Sequence, residues 1–310
     1  MGKATREAYG NALAKIGKEN SNIIVLDADL SKSTKTDTFK KECPERFFNV
    51  GIAEQNLISV GAGLAAAGKI PFVSSFAMFA TGRAFEQIRN AVCYPKLNVK
   101  VCATHAGITV GEDGATHQSL EDIACMRVLP NMTVIVPADE KETESVIQWA
   151  ADYNGPVYVR LGRAGVDDVT AEGYTFTPGK SNQLKDGSDV TIIACGALVG
   201  SAVEAAKQLE GEQISARVIN MASIKPIDAN AIIKAAEETG AIVTAEEHNI
   251  LGGLGSAVSE VVVAHKPVPM EFVGVQDTFG ESGTPKELMA KYGLTAEDIV
   301  KAVKKVVTRK

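Results

Sequence analysis

The chain has 310 residues, 45% of them hydrophobic and 23% charged, with a formal net charge of −6, a composition with material for more than one folded core. The acidic balance and the lack of a Lys/Arg block argue against nucleic acid as a partner; no apolar run of membrane length or signal peptide is seen, so no membrane is expected and the location expected is cytoplasmic. Five cysteines without C-x-x-C spacing read as reduced core residues, not as a disulfide framework or a zinc site.

Taken in order, small and apolar residues at helical spacing over 5–19 predict a helix. The run NIIVLDADL at 22–30 predicts a buried strand that ends on Asp27 and Asp29, at the edge where open α/β sheets place their ligands. Further strands are predicted at FFNV, PFVSS, NVKVCAT, MTVIV and PVYVRL, with helices at 55–67, 83–91, 119–127 and 139–151. An acidic stretch containing Gly and Pro then breaks the pattern. A second series follows, with strands at VTIIAC, SARVIN, AIVTAEE and EFVGV, helices at 198–209, 229–239 and 256–265, and two terminal helices. The expected fold class is α/β in two domains, 1–165 and 188–310, joined by a linker at 166–187. Each domain is expected to be a mostly parallel sheet flanked by helices.

Two stretches suggest chemistry. In 50–83, Glu54 stands at the head of a helix rich in small residues, and Phe76 and Phe79 follow a short strand three positions apart. A carboxylate near aromatic rings suits a flat, weakly basic heteroaromatic ring, although a dipole-stabilising Glu and core Phe residues would read the same way. The loop HAGITVGEDGATHQ at 105–118 brings His105, Glu112, Asp113 and His117 together among glycines that permit close backbone approach. It suits hydroxyl and phosphate recognition. Its spacing matches neither an HExxH nor an EF-hand pattern, so no metal ligand is assigned in this chain.

The motifs VGIAEQN, PFVSSFAMF and THAGITVGEDGATHQSLEDIACMRVLPNMTVIVPAD together resemble the pyrimidine-binding domain of the transketolase family, and the second unit resembles that family's C-terminal domain. The resemblance implies a transketolase, which moves a two-carbon ketol unit between sugar phosphates with thiamine diphosphate. It implies that Glu54 is the glutamate that hydrogen-bonds a pyrimidine nitrogen and activates the cofactor, a task suited to a desolvated carboxyl of raised pKa. Phe76 and Phe79 correspond to the ring-stacking aromatics, and Asp29 to the acid beside the thiazolium. Ser33, His105 and Arg163 correspond to substrate phosphate ligands, with Arg160 an alternative to the last. Asp113 and His117 correspond to the groups that meet ketose hydroxyls, His117 also assisting proton movement. Gly82 stands where a third aromatic is expected, implying a pocket that is open there or filled by a partner. The family's GDG segment and later Asn, which hold the diphosphate and Mg2+, are not found in the sequence. The resemblance therefore implies an N-terminal partner subunit that carries them, in a two-plus-two assembly in which this chain also self-associates. The alternatives are a 1-deoxyxylulose-5-phosphate synthase-like chain, a 2-oxoacid dehydrogenase beta subunit, or a noncatalytic assembly subunit.

Overall fold

The alternation resolves into two sheets in the computed structural model, which describes residues 2–310. In chain order the strands are β1 (Ile23–Asp27), β2 (Phe47–Asn49), β3 (Ile70–Ser74), β4 (Lys100–Ala103), β5 (Thr133–Ile135), β6 (Val157–Arg160), β7 (Asn182–Lys185), β8 (Val190–Ala194), β9 (Ala216–Asn220), β10 (Ser223–Lys225), β11 (Ile242–Asn249) and β12 (Met270–Val275). The first sheet has the order β10-β5-β6-β4-β3-β1-β2 and is parallel except for β10. The second has the order β12-β11-β8-β9-β7 and is parallel except for β7. This is the α/β architecture expected from the sequence. Every residue of β1, β4, β6, β8 and β9 is buried, which is why these strands read as mainly apolar and do not alternate: helices cover both faces.

Small residues set how closely the layers pack. In the helix Glu54–Ala66, a Cβ at Gly61 would lie 2.7 Å from Val73 Cγ1, so glycine lets the helix settle onto β3. The helix expected at 83–91 differs. It is a wider run, π-helical at Phe79–Arg83 and Ile88–Cys93 with one α turn at Phe85–Gln87 between them. The Thr81 hydroxyl bonds back to Ala77 O at 2.8 Å and Gly82 follows it, a pairing that loosens the α ladder. The helix expected from 119 begins only at Asp122, because the Ser119 and Leu120 carbonyls accept from Gly107 N and Asn249 N instead.

Residues 166–187 are tied down along their course. Val169 and Thr170 donate their amides to the Asp139 carboxylate at 2.8 and 2.6 Å, Phe176 packs edge-on to Trp149, and β7 joins the second sheet. The chain then crosses back, and β10 extends the first sheet from within the second unit. Among the described residues no helix is long and apolar enough to cross a membrane. All five cysteines are free thiols, and burial pushes Cys93 up to about 11 and Cys102 up to about 12.

Candidate active site

The expected site residues converge because they follow the carboxyl ends of neighbouring strands in the first sheet. Asp29 comes after β1, Glu54 after β2, Phe76 after β3, His105 after β4 and Arg163 after β6. In a parallel sheet these ends all lie along one edge.

Glu54 opens its helix and is only 2% exposed. Its Oε2 accepts from Arg83 Nη1 at 2.8 Å, and the same guanidinium lies over the Phe79 ring, 5.0 Å from its centroid. Phe79 in turn stacks near Phe76, with centroids 6.0 Å apart and planes at 17°. A planar, cationic donor thus bonds the carboxylate while covering an aromatic face. That is the arrangement a protonated or amino-substituted nitrogen heterocycle would adopt, so these residues fit a pyrimidine. Arg83 is half-exposed (51%). The space beside Gly82 is taken by Met78, whose Cε would lie 2.7 Å from a Cβ at that position.

A second cluster gathers around His105. Its backbone is left-handed at φ +58°, and its ring stacks on Phe76 with centroids 3.8 Å apart. Arg6 Nη1 lies 3.2 Å from His105 Nε2 and donates to Ser33 O at 2.9 Å. Because a guanidinium only donates, Nε2 is the acceptor and Nδ1 carries the proton toward Thr104 Oγ1, 2.9 Å away. Burial first, then the Arg6 and Arg163 charges, pushes His105 down to about 3. The ring is therefore a neutral imidazole set among cations, and Arg6 Nε has no partner. An unpaired guanidinium nitrogen beside Arg163 and Lys35 suits a multiply charged anion.

His117 stands edge-on to both rings, 5.2 Å from Phe79 and 6.2 Å from Phe76, and so bridges the two clusters. Asp29 has φ +65° and accepts from Asn49 Nδ2 at 2.7 Å, while Asp113 is exposed; neither bonds to the clustered residues. Arg163 donates to Glu112 Oε2 at 2.9 Å and to Val110 O. Arg160 does not join the cluster, because it is buried and spends its donors on Asp122 and on backbone carbonyls. Among the described residues no group of three or more His, Cys, Asp or Glu side chains is arranged to hold a metal ion.

Comparison with known proteins matches the transketolase pyrimidine-binding domain to residues 1–167 and the transketolase C-terminal domain to residues 179–299. The chain belongs to the transketolase family. It is 53% identical over 304 residues to a Methanocaldococcus jannaschii chain named as a transketolase C-terminal section, covering 97% of this chain and 95% of that one. Among solved structures it superposes on a split-gene transketolase, described as an inactive β4 tetramer, with TM-score 0.94 and 60% identity over 100% of both chains. On the transketolase of Leishmania mexicana it superposes with TM-score 0.85 and 28% identity, covering 99% of this chain but 46% of that one.

Two residues of this transketolase-family site escape sequence reasoning. Arg6 lies in the first turn of the helix Thr5–Glu19, 99 positions from His105, and its only local signal is a cation at a helix start, where the dipole disfavours one. Arg83 carries a signal in its spacing, four residues after Phe79 on one helical face.

Proposed function

We propose that the chain is the C-terminal subunit of a two-chain transketolase, which reversibly transfers a two-carbon ketol unit from a ketose phosphate to an aldose phosphate with thiamine diphosphate and Mg2+. The observation that carries this reading is the buried Glu54 paired with a planar cation over Phe79, next to a neutral His105 ringed by Arg6, Arg163 and Lys35. One pocket suits a pyrimidine and the other a sugar phosphate. Bound there, thiamine diphosphate supplies the carbon nucleophile that accepts the ketol unit.

The chain's own residues divide the remaining work. Glu54 meets a ring nitrogen with its carboxyl once Arg83 swings aside, and Phe76 and Phe79 hold the ring by stacking. Arg6, Ser33, His105 and Arg163 receive the substrate phosphate, whose negative charge offsets the crowding of cations that, after burial, keeps His105 unprotonated. His117, between the aromatic rings and the loop, holds and moves a proton at a sugar hydroxyl; Asp113 binds another hydroxyl, and Asp29 lies toward the thiazolium. The Mg2+ ligands are assigned to an N-terminal partner that holds the diphosphate through that metal, as the match to the pyrimidine-binding and C-terminal domains of the family supports. The solved relative described as an inactive β4 tetramer supports both self-association and the need for that partner.

The test is a ketol-transfer assay with xylulose 5-phosphate, ribose 5-phosphate, thiamine diphosphate and Mg2+, run on the chain alone and after adding the N-terminal subunit. Turnover only in the mixture is the expected result. Turnover by the chain alone would overturn the two-chain reading, and a mixture that consumes pyruvate in place of a ketose phosphate would move the assignment to the synthase or dehydrogenase chemistry.

A further inference from the structure

No expected site residue lies in the second unit, yet that unit grips the loop that carries three of them. The loop is closed at its neck by the Ala106–Ser119 bridge and by Gly107 N donating to Ser119 O at 2.9 Å. Its interior is pinned from outside. Glu247, on β11 of the second sheet, is 3% exposed, and its Oε1 accepts the Thr109 amide at 2.5 Å across 138 positions of sequence. Burial raises the Glu247 pKa, while the Arg160 charge and donation from the Thr109 amide and hydroxyl oppose that rise. Arg160 Nη2 donates to the Glu247 carbonyl at 2.8 Å and to Ser119 O at 3.3 Å, tying the pin to the neck.

The loop sequence is cut to fit this carboxylate. At Gly107, with φ +84°, a Cβ would lie 2.4 Å from Glu247 Cδ and Oε1, so any side chain there would displace the pin. Neighbouring Glu246 points to the opposite face, as strand alternation requires, and serves a different purpose: it accepts Leu254 N and Gly255 N at the start of the helix Leu254–His265. Of the acidic pair, only Glu247 reaches the substrate loop.

We infer that Glu247 is a positioning residue, through which the C-terminal domain sets where His105, Asp113 and His117 stand relative to the sugar phosphate. The pin bonds the loop directly and reaches the pyrimidine pocket only through the His105 and His117 ring contacts with Phe76 and Phe79, while Glu54 stands on its own helix. Its kinetic consequence rests on the transketolase reading above; its structural consequence does not.

The experiment pairs Glu247→Ala with Glu247→Gln. Amide hydrogen exchange over 105–118 is followed in the chain alone, and steady-state kinetics are measured in the complex with the N-terminal subunit. For Glu247→Ala the expected result is exchange faster by about tenfold or more and a KM for ketose phosphate raised on the order of tenfold, with the thiamine diphosphate requirement unchanged. Glu247→Gln keeps an acceptor for Thr109 and should give smaller changes in both readouts. Unchanged exchange in the Ala variant, or a KM rise matched by equal loss of cofactor affinity, would overturn the inference. If the Ala variant does not fold, Glu247→Asp decides: its carboxylate falls one methylene short of the Thr109 amide, so an amide that still exchanges at the wild-type rate counts against the pin. A wild-type complex without ketol transfer would remove the functional reading while leaving the exchange result to judge Glu247.

Discussion

Glu54 and Glu247 are both almost fully buried carboxylates close to an arginine, yet they sit in regions of opposite character. Glu247 belongs to the seam between the sheets, where its oxygen is taken by a backbone amide and the nearby Arg160 is itself buried against Asp122. Glu54 belongs to the pocket, where its one bonded partner is a half-exposed side chain. A buried carboxylate satisfied by backbone is scaffold, because nothing can leave without exposing an unpaired donor. One satisfied by a movable side chain is available, since water can take up the departing cation at small cost.

Four substitutions test that contrast. The largest effect is expected in the seam. Arg160→Met leaves Asp122 and Glu247 buried without their cation and should cost about 3–5 kcal/mol of stability, measured by denaturant unfolding; a loss below about 1 kcal/mol would erase the distinction between seam and pocket. In the pocket the pattern reverses. Glu54→Gln should lower ketol transfer by the assembled enzyme at least about a hundredfold while shifting unfolding by less than about 1 kcal/mol, so turnover near the wild-type rate would remove Glu54 from its role.

The third substitution uses pH. His105 is held near 3 in the folded chain against an ordinary value of 6.5. Between those values the unfolded chain binds a proton that the folded chain refuses, so stability is complete above about 6.5 and falls as the pH drops toward about 3, by up to about 1.4 kcal/mol per pH unit. His105→Gln should flatten that part of the profile, and an unaltered slope would mean that other groups produce it. The smallest effect belongs to Arg83. Because its pair with Glu54 is half solvated, Arg83→Met should tighten thiamine diphosphate binding by no more than about fivefold, read by calorimetric titration of the complex. Weaker binding would show that Arg83 helps hold the cofactor instead of standing in its place.

What was legible in the sequence was what local pattern dictates. The β1 run, Glu54 at a helix head and Phe76 three residues before Phe79 are statements about neighbours, and the sheet order brings them to one edge. What stayed hidden depends on distant contacts. Arg6 meets His105 across 99 positions, Glu247 meets Thr109 across 138, and no periodicity links residues so far apart. The π-helical turns at Phe79–Arg83 and Ile88–Cys93 were illegible for a different reason: their apolar spacing is close to that of an α-helix, and the departure lies in the backbone bonding. The bridging arginine shows the same limit. Arg160 and Arg163 are near neighbours in sequence, but burial commits the first to Asp122 and leaves the second beside the loop.

The return of β10 to the first sheet bears on how the protein is made. As the chain leaves the ribosome, the first sheet can assemble six strands early, but its β5 edge stays unpaired until Ser223–Lys225 has emerged, after β7, β8 and β9 of the other sheet. During that interval the nascent chain carries an open strand edge of the kind that recruits foreign strands. The cap on the first sheet thus comes from within the second unit, ahead of β11 and β12, and a chain truncated ahead of residue 223 would be expected to aggregate more readily than its buried core alone would suggest.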